Sequence, residues 1–114
     1  MIGAVLRLPI CVVAASLALP GSFSAQDSVA AGAKVYTDQK CAVCHSIAGT
    51  GNPKGPLDDV GARLSAAEIR AWIVDAKGTT AKTKAPRKPE MRDYTLPKED
   101  LDALVTYLSA LKKK

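Results

Sequence analysis

Two thiols and an imidazole stand together in the run Cys41-Ala42-Val43-Cys44-His45. Thiols three positions apart with a histidine directly after the second form the Cys-x-x-Cys-His signature of covalent haem attachment. The spacing has a chemical reason. Haem carries vinyl groups on neighbouring pyrroles, and each thiol can form a thioether with one of them. The next residue, His45, then reaches the iron from the face that the peptide covers. Three other chemistries use the same residue types. A thioredoxin-like redox pair needs a strand–helix–strand context that the flanking sequence does not offer. Zinc wants four ligands, where this run offers two Cys and the chain's single His. A disulfide between Cys41 and Cys44 would close too short a loop to constrain the chain usefully.

An electron-transfer haem iron usually has a second protein ligand. His45 is the only histidine, and Met1 and Met91 are the only methionines. A thioether is a soft, neutral ligand that favours ferrous iron and raises the reduction potential. The chain between His45 and Met91 is long enough to wrap over the other face of a haem, which makes Met91 the expected sixth ligand. The alternative is an exposed or core methionine, with the iron left open or bound by a lysine.

The chain has 114 residues, one small domain on length alone, and a net charge of +5. Residues 2–19 hold a single charge, Arg7, and Leu8 to Leu19 is an uncharged apolar run broken by Pro20 and Gly21. A basic start, a short apolar run and small residues at Ser22, Ser24 and Ala25 describe a secretory signal peptide over residues 1–25, leaving 26–114 as the mature domain. The run is too short for a stable membrane span. Export places the protein in the periplasm or an equivalent space. Cys11 and Phe23 leave with the leader.

What remains is poor in core. Its aromatics are Tyr36, Trp72, Tyr94 and Tyr107. A domain this small is marginal unless something staples it, and Cys41 and Cys44 are too close to do so. A large apolar cofactor is the better candidate for the missing centre. Around it, the sequence predicts three main helices. The first spans about Val29 to Lys40, with Val29, Ala33 and Tyr36 on one face. The second follows Ser65, where Ser65 and Glu68 complete a capping box. Its stripe is Ile69, Trp72, Ile73 and Ala76, and Gly78 is its expected stop. The third spans about Lys98 to Lys113, with Leu101, Leu104, Val105, Leu108 and Leu111 at helical spacing. Pro97, Glu99 and Asp100 suit its start, and Lys112 to Lys114 its end. No segment alternates long enough to predict a sheet. Residues 46–63 and 78–90 read as loops.

These pieces together resemble a soluble monohaem cytochrome c of class I, the His/Met-ligated type. The resemblance rests on Gly32-x-x-x-Tyr36, Cys41-Ala-Val-Cys44-His45, Gly55-Pro56-Leu57, Met91 and Leu104-Val-Thr-Tyr107-Leu108, in that order, and covers the whole mature chain. Pro97 departs from the family pattern, where a Ser or Thr often caps the last helix. The resemblance implies an all-α fold with one haem c held by Cys41 and Cys44 and its iron ligated by His45 and Met91. It implies a carbonyl at Pro56 accepting from His45 Nδ1, and a propionate contact from Trp72, whose place on the apolar stripe suits core packing equally well. Gly32 and Tyr36 are expected to meet the last helix near Tyr107.

The function expected is single-electron carriage between redox partner proteins, without catalysis. Lys82, Lys84, Arg87 and Lys88 flank Met91 and either steer acidic partners or form a solvated loop. Nucleic acid is not an expected partner, because no binding motif or aromatic interleaving is present. A haem subunit of a dehydrogenase or oxidase complex, and an open-site haem sensor or peroxidase, remain as alternatives.

Overall fold

The computed structural model describes residues 24–113, together with residues 3, 9, 11–15 and 17. The expected leader lies outside the described residues apart from those isolated positions and its last two, Ser24 and Ala25. Helix α1 spans Ala25–Asp38, four residues earlier than its apolar spacing suggested. The early start has a local cause. The Ser24 hydroxyl accepts from the Asp27 amide at 3.3 Å, and the Asp27 carboxylate accepts from the Ser24 amide at 3.2 Å. A turn of 3-10 helix, Cys41–Val43, follows. Two short strands, β1 (Ser46–Ile47) and β2 (Thr50–Gly51), then pair antiparallel. They correct the expectation of no sheet: two residues per strand are too few to show alternation.

Helix α2 (Val60–Arg63) is a single turn inside the segment expected to be all loop. Helix α3 (Ala66–Val74) starts at the predicted Ser65–Glu68 capping box. It does not run to Gly78. Asp75 ends it, and the Asp75 carboxylate accepts from the Gly78 amide at 3.1 Å to start a further helix, α4 (Ala76–Thr83). The loop expected from residue 78 is therefore helical over its first part. Helix α5 spans Lys98–Ser109, so Leu111 lies past its end. There the Leu111 carbonyl accepts from the Gly61 amide at 2.8 Å, and the Lys113 amide donates to the Asp58 carbonyl at 3.0 Å. These bonds lash the C-terminal residues to α2 and end the helix early. The fold is mostly helical, as the sequence implied.

The main packing is α1 against α5. Gly32 makes the close crossing possible: a Cβ there would run into the Ala103 carbonyl and the Tyr107 side chain. One turn on, the Tyr36 and Tyr107 rings meet edge to face with centroids 5.9 Å apart. The structure thus bears out the expected meeting of Gly32 and Tyr36 with Tyr107. Arg70 of α3 and Lys98 of α5 share the Asp102 carboxylate, each at 2.6 Å, a solvated linkage that adds little stability.

The core is small and has an opening at its centre. Val35, Tyr36, Val60, Ile69, Ile73, Leu104, Val105 and Leu108 form its buried cluster. Six of the eight, all but Val35 and Val105, also line a single large cavity. Helices α1, α2, α3 and α5 therefore present apolar side chains to a space that the polypeptide does not fill.

Candidate functional site

The chain enters the site through Lys40, which adopts the left-handed conformation at φ 57°. The next carbonyl, that of Cys41, accepts from both the Cys44 amide at 3.1 Å and the His45 amide at 2.9 Å. This winds the five residues of the motif into one tight turn. The left-handed pair Ala48 (φ 50°) and Gly49 (φ 80°) then reverses the chain between β1 and β2. Gly51 has φ 108°, and a Cβ there would overlap the His45 carbonyl.

Asn52 is the residue that sequence reasoning missed. Its amide donates to the carbonyls of Ala42 (3.0 Å) and His45 (2.9 Å), and its side chain donates to the Val43 carbonyl (3.2 Å). Its side-chain oxygen accepts from the Lys54 amide at 3.0 Å. One asparagine thus ties down three residues of the motif. The only signal in the sequence is its place directly after a glycine in a Gly-Pro-rich stretch.

His45 is held at its Nδ1, which lies 3.1 Å from the carbonyl oxygen of Gly55. This corrects the expected partner, the Pro56 carbonyl, by one residue. The cause is the local pairing: the Ser46 amide donates to Gly55 at 3.0 Å and the Leu57 amide donates back to Ser46 at 2.9 Å. That pairing sets Ser46 opposite Pro56 and turns the Gly55 carbonyl toward the imidazole. With Nδ1 as donor, Nε2 carries the free lone pair, the arrangement that orients a metal-binding histidine. Burial pushes the imidazole below its usual pKa, opposed by the Gly55 hydrogen bond and aided by the nearby Arg87 charge. The ring is therefore neutral near pH 7, as a ligand must be. Burial pushes the Cys41 thiol, before haem attachment, above its usual pKa.

The cavity measures about 1190 Å³, beyond the top of the usual range of roughly 300–1,000 Å³ for ligand pockets. Cys41, Cys44, His45 and Met91 all line it. Trp72 lines it too, half-buried beside Ile69 and Ile73. A flat, apolar, iron-bearing macrocycle fits this space on three counts. The walls are core side chains, two thiols stand at one side, and an imidazole is fixed by its far nitrogen.

Cations gather around the cavity. Lys40, Lys54, Arg63, Arg87, Lys88 and Arg92 all contribute to its lining, against the single carboxylate of Glu90. Lys82 and Lys84, expected beside Met91, are exposed and lie outside the lining. Lys88 pairs with Glu90 at 2.6 Å, and the Arg92 guanidinium stands 4.6 Å from the centre of the Tyr94 ring. No group of three or more His, Cys, Asp and Glu among the described residues could hold a bare metal ion. No helix among the described residues is long and apolar enough to cross a membrane.

Comparison with known proteins agrees with this geometry. The family model described as Cytochrome c matches residues 29–112. Among curated proteins, the chain is similar to cytochrome c oxidase subunit 2 of Alkalihalophilus pseudofirmus, at 31% identity over 90 residues. That alignment covers 71% of this chain and 25% of the oxidase subunit, so the chain spans about a quarter of the relative's length. No solved structure matches the chain.

Proposed function

This chain belongs to the cytochrome c family, with a covalently bound haem c whose iron passes electrons, and we propose that it is an exported single-electron carrier with His/Met ligation. In this reading Cys41 and Cys44 form the two thioethers, His45 Nε2 is one axial ligand and the Met91 sulfur is the other. The observation that carries it is that these four side chains line one apolar cavity at the centre of the core. Iron with two protein ligands has no open position for a substrate. The protein then changes oxidation state without catalysing a reaction of its own. A supply of cations around the cavity, with Glu90 as the one carboxylate, supports docking of redox partners that present acidic surfaces. Residues 1–25 are read as a cleaved leader and 26–114 as the domain that works in the periplasm, so the Ser24 cap of α1 belongs to the chain before cleavage.

The similarity to part of an oxidase subunit supports a second reading, in which the same haem domain is a fixed member of a larger redox complex. Native size-exclusion with haem detection separates the two: a free carrier elutes as a small haem protein, a subunit with its complex. The central test is a pyridine haemochrome spectrum with mass spectrometry of the purified protein. One covalent haem per chain, a mature start near residue 26 and a ferric sulfur-to-iron band are expected. Readily formed ferrous carbon monoxide complex and no sulfur band would instead mark an open iron, as in a sensor or peroxidase.

A further inference from the structure

Among the six cations around the cavity, Arg87 stands apart. Lys40, Lys54, Arg63, Lys88 and Arg92 are exposed, whereas Arg87 is half-buried. Arg63 pairs with Asp59 at 3.0 Å and Lys88 with Glu90. Arg87 makes no ion pair and no side-chain hydrogen bond among the described residues. The planar fork of a guanidinium suits a carboxylate held by two parallel hydrogen bonds. Among the described residues the one carboxylate in the cavity lining, Glu90, is paired with Lys88 instead. A haem brings two carboxylates with its propionates.

The position of Arg87 adds a second argument. It lies in the same segment as Met91, yet its guanidinium packs on Gly55, where a Cβ would run into it and into the Cys44 carbonyl. Gly55 is the residue whose carbonyl holds His45. One side chain from the Met91 segment therefore rests on the support of the His45 ring.

Building on the haem reading above, we propose that Arg87 is a positioning residue that receives a haem propionate and, through Gly55, ties the Met91 segment to the His45 turn. It acts on the iron only through the cofactor's carboxylate and its own charge. A fixed positive charge favours the ferrous state, so Arg87 holds the potential up. The lysines at 82, 84 and 88 have no such role, because water solvates them.

The test compares wild type with Arg87→Gln, Arg87→Lys and Lys82→Gln, all as mature holoprotein. Covalent haem is measured first. Its absence from the wild type would overturn the haem reading itself, separately from the role of Arg87. With haem present, redox-difference infrared spectra report the propionate carboxylates directly. Arg87→Gln is expected to shift those bands. It should also change the ferric-to-ferrous ratio at fixed ambient potential by about tenfold toward ferric, the order of one unit charge acting through partly buried protein. Arg87→Lys keeps the charge and loses the fork, so it should restore most of the ratio but only part of the infrared pattern. Lys82→Gln should match wild type in both. Propionate bands of Arg87→Gln that coincide with wild type would overturn the proposal. If Arg87→Gln yields no holoprotein, Arg87→Lys decides: unchanged bands refute the contact, shifted bands support it.

Discussion

Residues 41–57 and residues 84–97 line the same cavity and are built on different principles. The first segment is fixed by its own backbone. Within it, carbonyls of Cys41, Ala42, His45, Ser46, Asn52 and Gly55 all accept amide protons from other members of the segment. The second has few tethers. The Ala85 amide reaches the Thr80 carbonyl at 3.3 Å, the Tyr94 amide reaches Ile73 at 2.8 Å, and the Asp93 carboxylate accepts from the Lys77 amide at 3.0 Å. Between Arg87 and Arg92 no backbone amide donates to another backbone group. A rigid turn can hold an imidazole in place before any cofactor arrives. A loosely tethered segment relies on what it touches inside the cavity, and segments of that kind open first.

The comparison can be broken most severely by removing attachment. Cys41→Ala with Cys44→Ala should abolish covalent haem and leave a largely unfolded chain, because the core residues would surround an unfilled space. Circular dichroism of the haem-free double variant decides it; a cooperative melt with native helix content would mean that the polypeptide core suffices alone. Next in size is Met91→Ala. It should lower the midpoint potential, remove the ferric sulfur band and let ferrous protein bind carbon monoxide, while leaving the covalent haem in place. Loss of covalent haem in this variant would show that the two segments are not independent.

Gly51→Ala probes the rigid segment. Its φ of 108° and the overlap with the His45 carbonyl should cost about 1–3 kcal/mol of stability, read from the denaturant midpoint of the holoprotein. An unchanged midpoint would mean that the turn yields more easily than its hydrogen bonds imply. The smallest effect is expected at the exposed lysines. Replacing Lys82, Lys84 and Lys88 with Gln should flatten the fall of electron-transfer rate with rising salt, since exposed charges are screened beyond about 10 Å at 0.1 M. Rates indifferent to salt in both forms would remove these residues from partner docking.

The sequence disclosed the two segments unequally, for the same physical reason. Cys41, Cys44 and His45 are neighbours in the chain, so their spacing alone states their chemistry. Met91 was legible only by elimination, as the one soft ligand outside the expected leader, though it does line the cavity. The capping box at Ser65 and the apolar stripe of α5 are local codes and were read correctly at the helix starts. Helix α4 was not, because Gly78 looks like a stop. Its start depends on the Asp75 cap and on Asp93, which is 16 residues from its partner Lys77. The Gly55 carbonyl and the half-burial of Arg87 also depend on which strands of chain lie side by side. No period or composition encodes that. The family resemblance supplied the right neighbourhood for the His45 partner and missed the residue by one.

The opening at the centre of the core has a consequence for the life of the chain in the cell. A polypeptide whose apolar walls face an unfilled space presents the surface that proteases and chaperones recognise. Chains that miss their cofactor are expected to be degraded rather than stored. The abundance of the protein should then follow haem delivery more closely than it follows transcription. A pulse-chase under haem limitation would reveal this as a shortened half-life, with messenger levels unchanged. Turnover of this kind discards unloaded chains without a separate inspection step.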